Sequence, residues 1–158
     1  MGSMTPRLMQ QNDLAEVIAI EKAANQFPWS LKNFEDSLQA NHHATVFINE
    51  ESTIQAYVVV QTVMDEIHLL NICVKPEFQG KGLGRSALNY VINYAEKNSA
   101  AVILLEVRSS NQRAQQLYLQ SGFNEMSVRA GYYPSQQGRE DAVLMAMDLS
   151  MSSLFSEH

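Results

Sequence analysis

The stretch Gln79-Gly80-Lys81-Gly82-Leu83-Gly84-Arg85 decides how the rest of the chain is read. It lies between a β-branched, apolar run ending at Val74 and a helical pattern starting near Gly84. Glycines in alternation remove side chains, so backbone N–H groups can approach a ligand. The helix that follows adds unpaired donors and a positive dipole end, and together these make a phosphate seat. The glycines alone would fit a flexible surface turn equally well. Lys81 and Arg85 on either side favour an anion.

Gly82-Leu83-Gly84-Arg85-Ser86-Ala87 formally satisfies the dinucleotide fingerprint, with Glu106 near the place of its ribose-binding acid. Two features weigh against that reading. The fingerprint wants its first glycine directly after the strand, whereas residues 75–80 intervene here. The chain also lacks the repeated βαβ units of a doubly wound sheet. A Walker-type site fails outright, because no Gly-Lys-Ser/Thr closes the loop.

Upstream, Asn12 or Asp13 can cap a helix carrying Leu14, Val17, Ile18 and Ala24 at helical spacing. Phe27-Pro28-Trp29-Ser30 breaks it, and Ser30 starts a second helix with Leu31, Phe34 and Leu38 on one face. Residues 45–49, 53–63 and 66–74 then read as an antiparallel meander joined by short polar connectors. Beyond the glycine loop the pattern predicts a helix over 84–97, a buried strand over 101–107 and a helix from Asn111 to about Ser121-Gly122. Two strands follow, about 123–132 and 142–149, on either side of a polar loop containing Ser135 to Gly138. The fold class expected is α/β, with a mixed, mostly antiparallel central sheet flanked by helices.

Composition bounds the function. With 158 residues, 46% hydrophobic, the chain suits one domain, placed at residues 4–150. Met1-Gly2-Ser3 before Met4 reads as a cloning remnant, and residues 151–158 as a short polar tail. Gly2 lacks the Ser or Thr at position six of a myristoylation motif, where Pro6 stands. A net charge of −6 gives no global basic field for nucleic acid and suits a partner with a basic tail. No apolar run approaches the roughly 20 residues of a membrane span, so no membrane is expected. The lack of a signal-peptide stretch and the single Cys73, which excludes an internal disulfide, both fit a cytoplasmic protein.

Two residues stand out as chemistry on the downstream elements. Glu106 interrupts the apolar run Ala101-Val102-Ile103-Leu104-Leu105, where partial desolvation would raise its pKa toward that of a useful base. The same position serves equally well as a strand-end ion pair with Arg108, which alternation puts on its face. Tyr118 lies in the next helix beside Leu117, where a core aromatic is the plain reading.

The run Gln79-Gly80-Lys81-Gly82-Leu83-Gly84 resembles the Gln/Arg-x-x-Gly-x-Gly/Ala signature of the GNAT acetyltransferases, and the order of elements matches that fold over essentially the whole domain. The resemblance implies acetyl-CoA as cosubstrate, with no metal. Its pantetheine arm would lie along Ile72, Cys73 and Val74, and its pyrophosphate on Gly80, Lys81, Gly82, Leu83, Gly84 and Arg85. The stretches 105–111, 117–118 and 121–123 are similar to the RimI-type ribosomal-protein-alanine N-acetyltransferases. By that resemblance Glu106 is the general base, Tyr118 the acid that protonates departing CoA, and Asn111 a cofactor contact.

The segments Phe27-Pro28-Trp29-Ser30, Asp65-Glu66 with Asn71-Ile72, and Tyr132-Tyr133-Pro134 continuing into 138–142 also resemble the RimI type, with Gly131 in place of an expected Asn. Trp29, Tyr132 and Tyr133 are thereby implied as substrate-binding residues, although the two tyrosines also fit plain strand packing. The implied substrate is the N-terminal alanine of the eighteenth small-subunit ribosomal protein. An α-amine suits such a catalyst, because its reference pKa of about 7.7–8.0, against about 10.4 for lysine, makes it roughly 3–4 kcal/mol easier to neutralise near pH 7. The rivals are acetylation of a small-molecule amine, a non-catalytic acyl-CoA-binding regulatory module, which the Glu106–Tyr118 pair speaks against, and a tRNA-directed enzyme, which the acidic charge disfavours.

His42-His43 has no third ligand at metal spacing, so no metal is expected there. Cys73 inside an apolar strand reads as a small core residue. His68 alternates with apolar neighbours, its role open, and the eight methionines read as core filling.

Overall fold

A computed structural model describes residues 4–150, so the expected cloning remnant and tail lie outside the described residues. Among them are seven strands, β1 Thr5–Leu8, β2 His43–Ile48, β3 Ile54–Val63, β4 Glu66–Val74, β5 Val102–Arg108, β6 Asn124–Ser135 and β7 Gly138–Asp148. There are also four α-helices, α1 Leu14–Ala24, α2 Leu31–Gln39, α3 Leu83–Lys97 and α4 Gln112–Gln120, and two short 3-10 turns, Gln11–Asp13 and Pro76–Phe78. The strands form one sheet in the order β1-β2-β3-β4-β5-β7-β6. β4 and β5 run parallel, while β1–β2, β2–β3, β5–β7 and β6–β7 are antiparallel. The mixed, mostly antiparallel sheet is the one expected. By contacts the described chain divides into two compact units, residues 4–62 with 70–91 and residues 63–69 with 92–150.

In the first unit, α1 buries Leu14, Val17 and Ile20 against Phe34 of α2 and Tyr57 and Val59 of β3. α2 starts as expected: Ser30 Oγ accepts the Asn33 N–H at 3.1 Å and Asn33 Oδ1 accepts the Ser30 N–H at 2.9 Å, a reciprocal cap. Asp13 departs from expectation. Its side chain does not cap α1, because it takes both guanidinium nitrogens of Arg7 at 2.8 and 2.9 Å and the Gln10 N–H at 2.8 Å. The Arg7 hydrogen bonds hold its carboxyl below the usual carboxylate range. That ion pair joins the turn before α1 to β1, a strand too short for any periodicity. β1 exists because β2 pairs with it, and as an edge strand it tolerates Pro6.

In the second unit, β5 alternates strictly: Ile103, Leu105 and Val107 are buried, while Leu104, Glu106 and Arg108 share the half-buried face. Asn111 caps α4 through its side chain, which accepts the Ala114 N–H at 3.1 Å. The expected loop at 135–138 is smaller than its polar composition suggests. β6 runs to Ser135 and β7 starts at Gly138, leaving a two-residue turn whose Gly138 sits at φ +111°. The core-filling reading of the methionines also needs correction. Met145 is buried, but Met64 is 94% exposed at a left-handed turn position and Met126 is exposed on β6.

Candidate active site

The glycine loop belongs to the first unit. Gly80 and Gly82 sit at φ +79° and +82°, a region that L side chains avoid, and a Cβ built on either meets no atom within 4 Å. The loop therefore holds its shape by backbone conformation and leaves open space above it. The first helical N–H groups of α3 lack partners in their own helix, and the earliest closing bond is Ser86 N–H to Gly82 O at 3.1 Å. Gln79 fastens the loop's start by donating its side-chain amide to the Val74 carbonyl at 3.0 Å. The ammonium groups of Lys75 and Lys81 lie 5.9 and 5.8 Å from the Phe78 ring centre, gathering cationic charge beside the loop. Open space, unpaired donors and cations fit a pyrophosphate.

The parallel register of β4 with β5 covers Glu66–Leu69, and β4 continues beyond it through Ile72, Cys73 and Val74. Cys73 is buried, and burial pushes its thiol up to about 11, so it stays a protonated packing residue at neutral pH. If the seat holds phosphate, Gly82→Ala should raise the acetyl-CoA KM about tenfold and leave kcat within twofold, since a left-handed L-residue costs roughly 1–2 kcal/mol. Steady-state kinetics with acetyl-CoA as the varied substrate checks it.

The chemistry-bearing residues of the second unit gather around β5. Glu106 Oε2 is buried with no hydrogen-bond partner among the described residues, and Oε1 lies 3.8 Å from Arg129 Nη1. Arg108 donates to Glu140 Oε1 at 3.0 Å and to the Pro134 carbonyl at 2.6 Å, and its guanidinium lies 4.5 Å over the Tyr133 ring. The cation found beside Glu106 is thus Arg129 of β6, where strand alternation alone offered Arg108. Glu140 also accepts the Ser110 N–H at 3.1 Å, and hydrogen bonds from Ser110 and Arg108 hold its carboxyl below the usual range.

Tyr118 is 6% exposed, packed 5.8 Å from the Phe123 ring, and burial pushes its hydroxyl up to about 12. The negative charge of ionised Tyr133 adds to that shift, and Tyr133 is itself raised to about 12 by burial and then by the Glu106 charge. Glu106, Tyr133 and Tyr118 therefore share one electrostatic neighbourhood. Tyr132, 42% exposed, meets Tyr133 edge-on at 5.0 Å and carries Arg129 4.7 Å over its ring. Between them Gly131 sits at φ +60° where the β6–β7 register shifts, its N–H donated to Asp141 Oδ1 at 3.0 Å. That conformation suits Gly and also Asn, the residue the resemblance led one to expect.

Trp29, in the first unit, is half-buried on Phe34 at 5.1 Å and donates its backbone N–H to Glu21 at 2.9 Å. His42 and His43 are both engaged, with Ser37 Oγ at 3.1 Å and Tyr90 Oη at 2.8 Å, and His68 pairs with Glu66 at 2.9 Å. Sequence reasoning missed Arg129, Glu140 and Glu21. Each was one charged residue among many, and only the β6 register shift, the β7 pairing and the α1 packing give them their places.

The model of the acetyltransferase (GNAT) family matches residues 14–123. The [ribosomal protein bS18]-alanine N-acetyltransferase of Escherichia coli is 41% identical over 143 residues, 90% of this chain and 96% of that protein. Its counterpart of that name from Haemophilus ducreyi is 36% identical over 140 residues, 88% of this chain and 96% of that one. The crystal structure of the ribosomal-protein-S18-alanine N-acetyltransferase from Escherichia coli superposes with a TM-score of 0.87 at 39% identity, covering 94% of this chain and 95% of that one. The chain belongs to the acetyltransferase (GNAT) family and, within it, to the RimI type.

Proposed function

We propose that this protein transfers the acetyl group of acetyl-CoA to the N-terminal α-amine of ribosomal protein bS18, at its alanine. The observation that carries the acceptor is the 41% identity, over 90% of the chain, to a relative named for that reaction. Acetyl-CoA, when bound, supplies the acetyl group as a thioester. Gly80 to Arg85 hold its pyrophosphate through backbone donors, with Lys81 and Arg85 adding charge, and the backbone of Ile72, Cys73 and Val74 pairs with its pantetheine arm. Asn111, exposed at the start of α4 where it accepts the Ala114 N–H, adds a cofactor contact.

Glu106 takes the proton the α-ammonium must lose, directly or through water. Its half-buried position and unpartnered Oε2 support that role, since a carboxylate oxygen without an internal donor is left to accept from an outside one. Tyr118 gives its proton to the leaving sulfur, and a hydroxyl raised to about 12 stays protonated at neutral pH to do so. Trp29 in the first unit, and Tyr132 and Tyr133 in the second, are each taken as substrate-binding residues, as the RimI resemblance implies. The acceptor is tested by incubating a ribosomal-protein mixture, and separately a polyamine panel, with protein and acetyl-CoA. Mass spectrometry is expected to find acetyl on the bS18 N-terminal alanine. Turnover on polyamines alone, or none on any amine, overturns the proposal.

A further inference from the structure

Glu21 is a carboxylate that the reaction as proposed leaves unused, yet it is 2% exposed in the middle of α1. Burying a carboxylate is unfavourable unless it is well satisfied, and an apolar residue of similar size would fill the space at less cost. Here three segments satisfy it. Oε1 accepts the Tyr57 hydroxyl of β3 at 2.5 Å and the Asn71 side-chain amide of β4 at 3.2 Å. Oε2 accepts the backbone N–H of Trp29, in the connection between α1 and α2, at 2.9 Å. Near the other end of that connection Asn25 donates to Cys73 Sγ of β4 at 4.0 Å. The connection is thus fastened at both ends, and one fastening is a buried acid that also grips the residue preceding Ile72.

From this geometry, and resting on the acetyl-transfer reading above, we infer that Glu21 is a positioning residue for the acceptor peptide. It sets the Trp29 segment in register with β4 through one shared carboxylate. Glu21→Gln keeps the volume but replaces one oxygen with a donor. Either the Trp29 N–H or the Tyr57–Asn71 pair then faces another donor, and a buried group left unmatched in this way is destabilised. The Trp29 contact is the one a loop can abandon most easily, since Tyr57 and Asn71 sit on strands.

The test uses the full chain with a peptide bearing an N-terminal alanine. Glu21→Gln is expected to raise the peptide KM about tenfold while acetyl-CoA Kd, by calorimetry, stays within twofold. Tyr57→Phe, which removes one donor and keeps the carboxylate, should raise the peptide KM in the same direction by about threefold. A merely structural role would lower Tm and the active fraction without moving that KM. An unchanged peptide KM in folded Glu21→Gln overturns the inference, as does an unchanged KM in Tyr57→Phe should Glu21→Gln fail to fold. No turnover of the peptide by the wild-type protein defeats the acetyl-transfer reading and this inference with it, whereas wild-type turnover with unmoved variants defeats the inference alone.

Discussion

Tyr118→Phe is expected to lower kcat by about 10²–10³-fold while leaving acetyl-CoA affinity within about twofold, the range a lost general acid produces. The substitution is unusually clean to interpret. The residue is buried, but its hydroxyl makes no hydrogen bond to another described residue, so its removal orphans no partner. Tm should therefore hold, because no partner is left unmatched. The ring's packing on Phe123 survives in Phe. The pH dependence follows from the raised pKa. The folded state favours the protonated form, a preference complete below about 10 and lost as pH rises through about 12. Wild-type kcat should accordingly show no alkaline loss traceable to Tyr118 below about pH 10. A Tyr118→Phe enzyme with unchanged kcat removes the residue from the acid role and leaves it a core aromatic.

How far such a site can be read from sequence depends on whether its signal is local. The glycine loop could be read because its requirement is conformational and sits within seven residues. Gly80 and Gly82 take the positive φ that their identity allows, and α3 begins at Leu83, within one residue of expectation. Ser30 and Asn111 were legible as helix starts for the same reason, each cap closing on an N–H three residues ahead. β1 was not legible, because four residues including Pro6 have no pattern of their own and acquire strand geometry only by pairing with β2. Asp13 failed differently. Its local role as a cap was plausible, and a distant guanidinium, Arg7, outbid the helix for the carboxylate.

The charges around β5 mark the boundary. Alternation correctly put Glu106 and Arg108 on one face, but alternation along one strand says nothing about the neighbouring strand. Arg129 reaches Glu106 and Tyr132 because β6 shifts register between Arg129 and Tyr133, around a left-handed Gly131. The four steps from Arg129 to Tyr133 face only two on β7, from Ala142 to Glu140, so no regular alternation over 124–135 could have placed both. The paired tyrosines illustrate it. Adjacent residues on a regular strand point to opposite faces, yet these two rings meet at 5.0 Å.

Glu106→Gln is expected to lower kcat/KM for an alanine peptide by about 10²-fold at pH 7, with the deficit shrinking to about tenfold at pH 9. The pH trend is the informative part. An α-amine with reference pKa about 7.7–8.0 is free to the extent of roughly a tenth at pH 7 and nine-tenths at pH 9, so a base gains its advantage mainly where free amine is scarce. A nucleophile that arrives neutral needs less help, and the variant recovers accordingly. Part of any loss will be structural, because Gln must place its NH₂ either in the buried Oε2 position, which has no partner, or beside the Arg129 guanidinium. That misfit acts equally at every pH and registers as a modest drop in Tm, whereas proton acceptance does not. Rates measured from pH 6.5 to 9.5 with Tm recorded at each pH separate the two. A deficit that stays flat across that range assigns Glu106 to positioning, and the proton must then leave by another route.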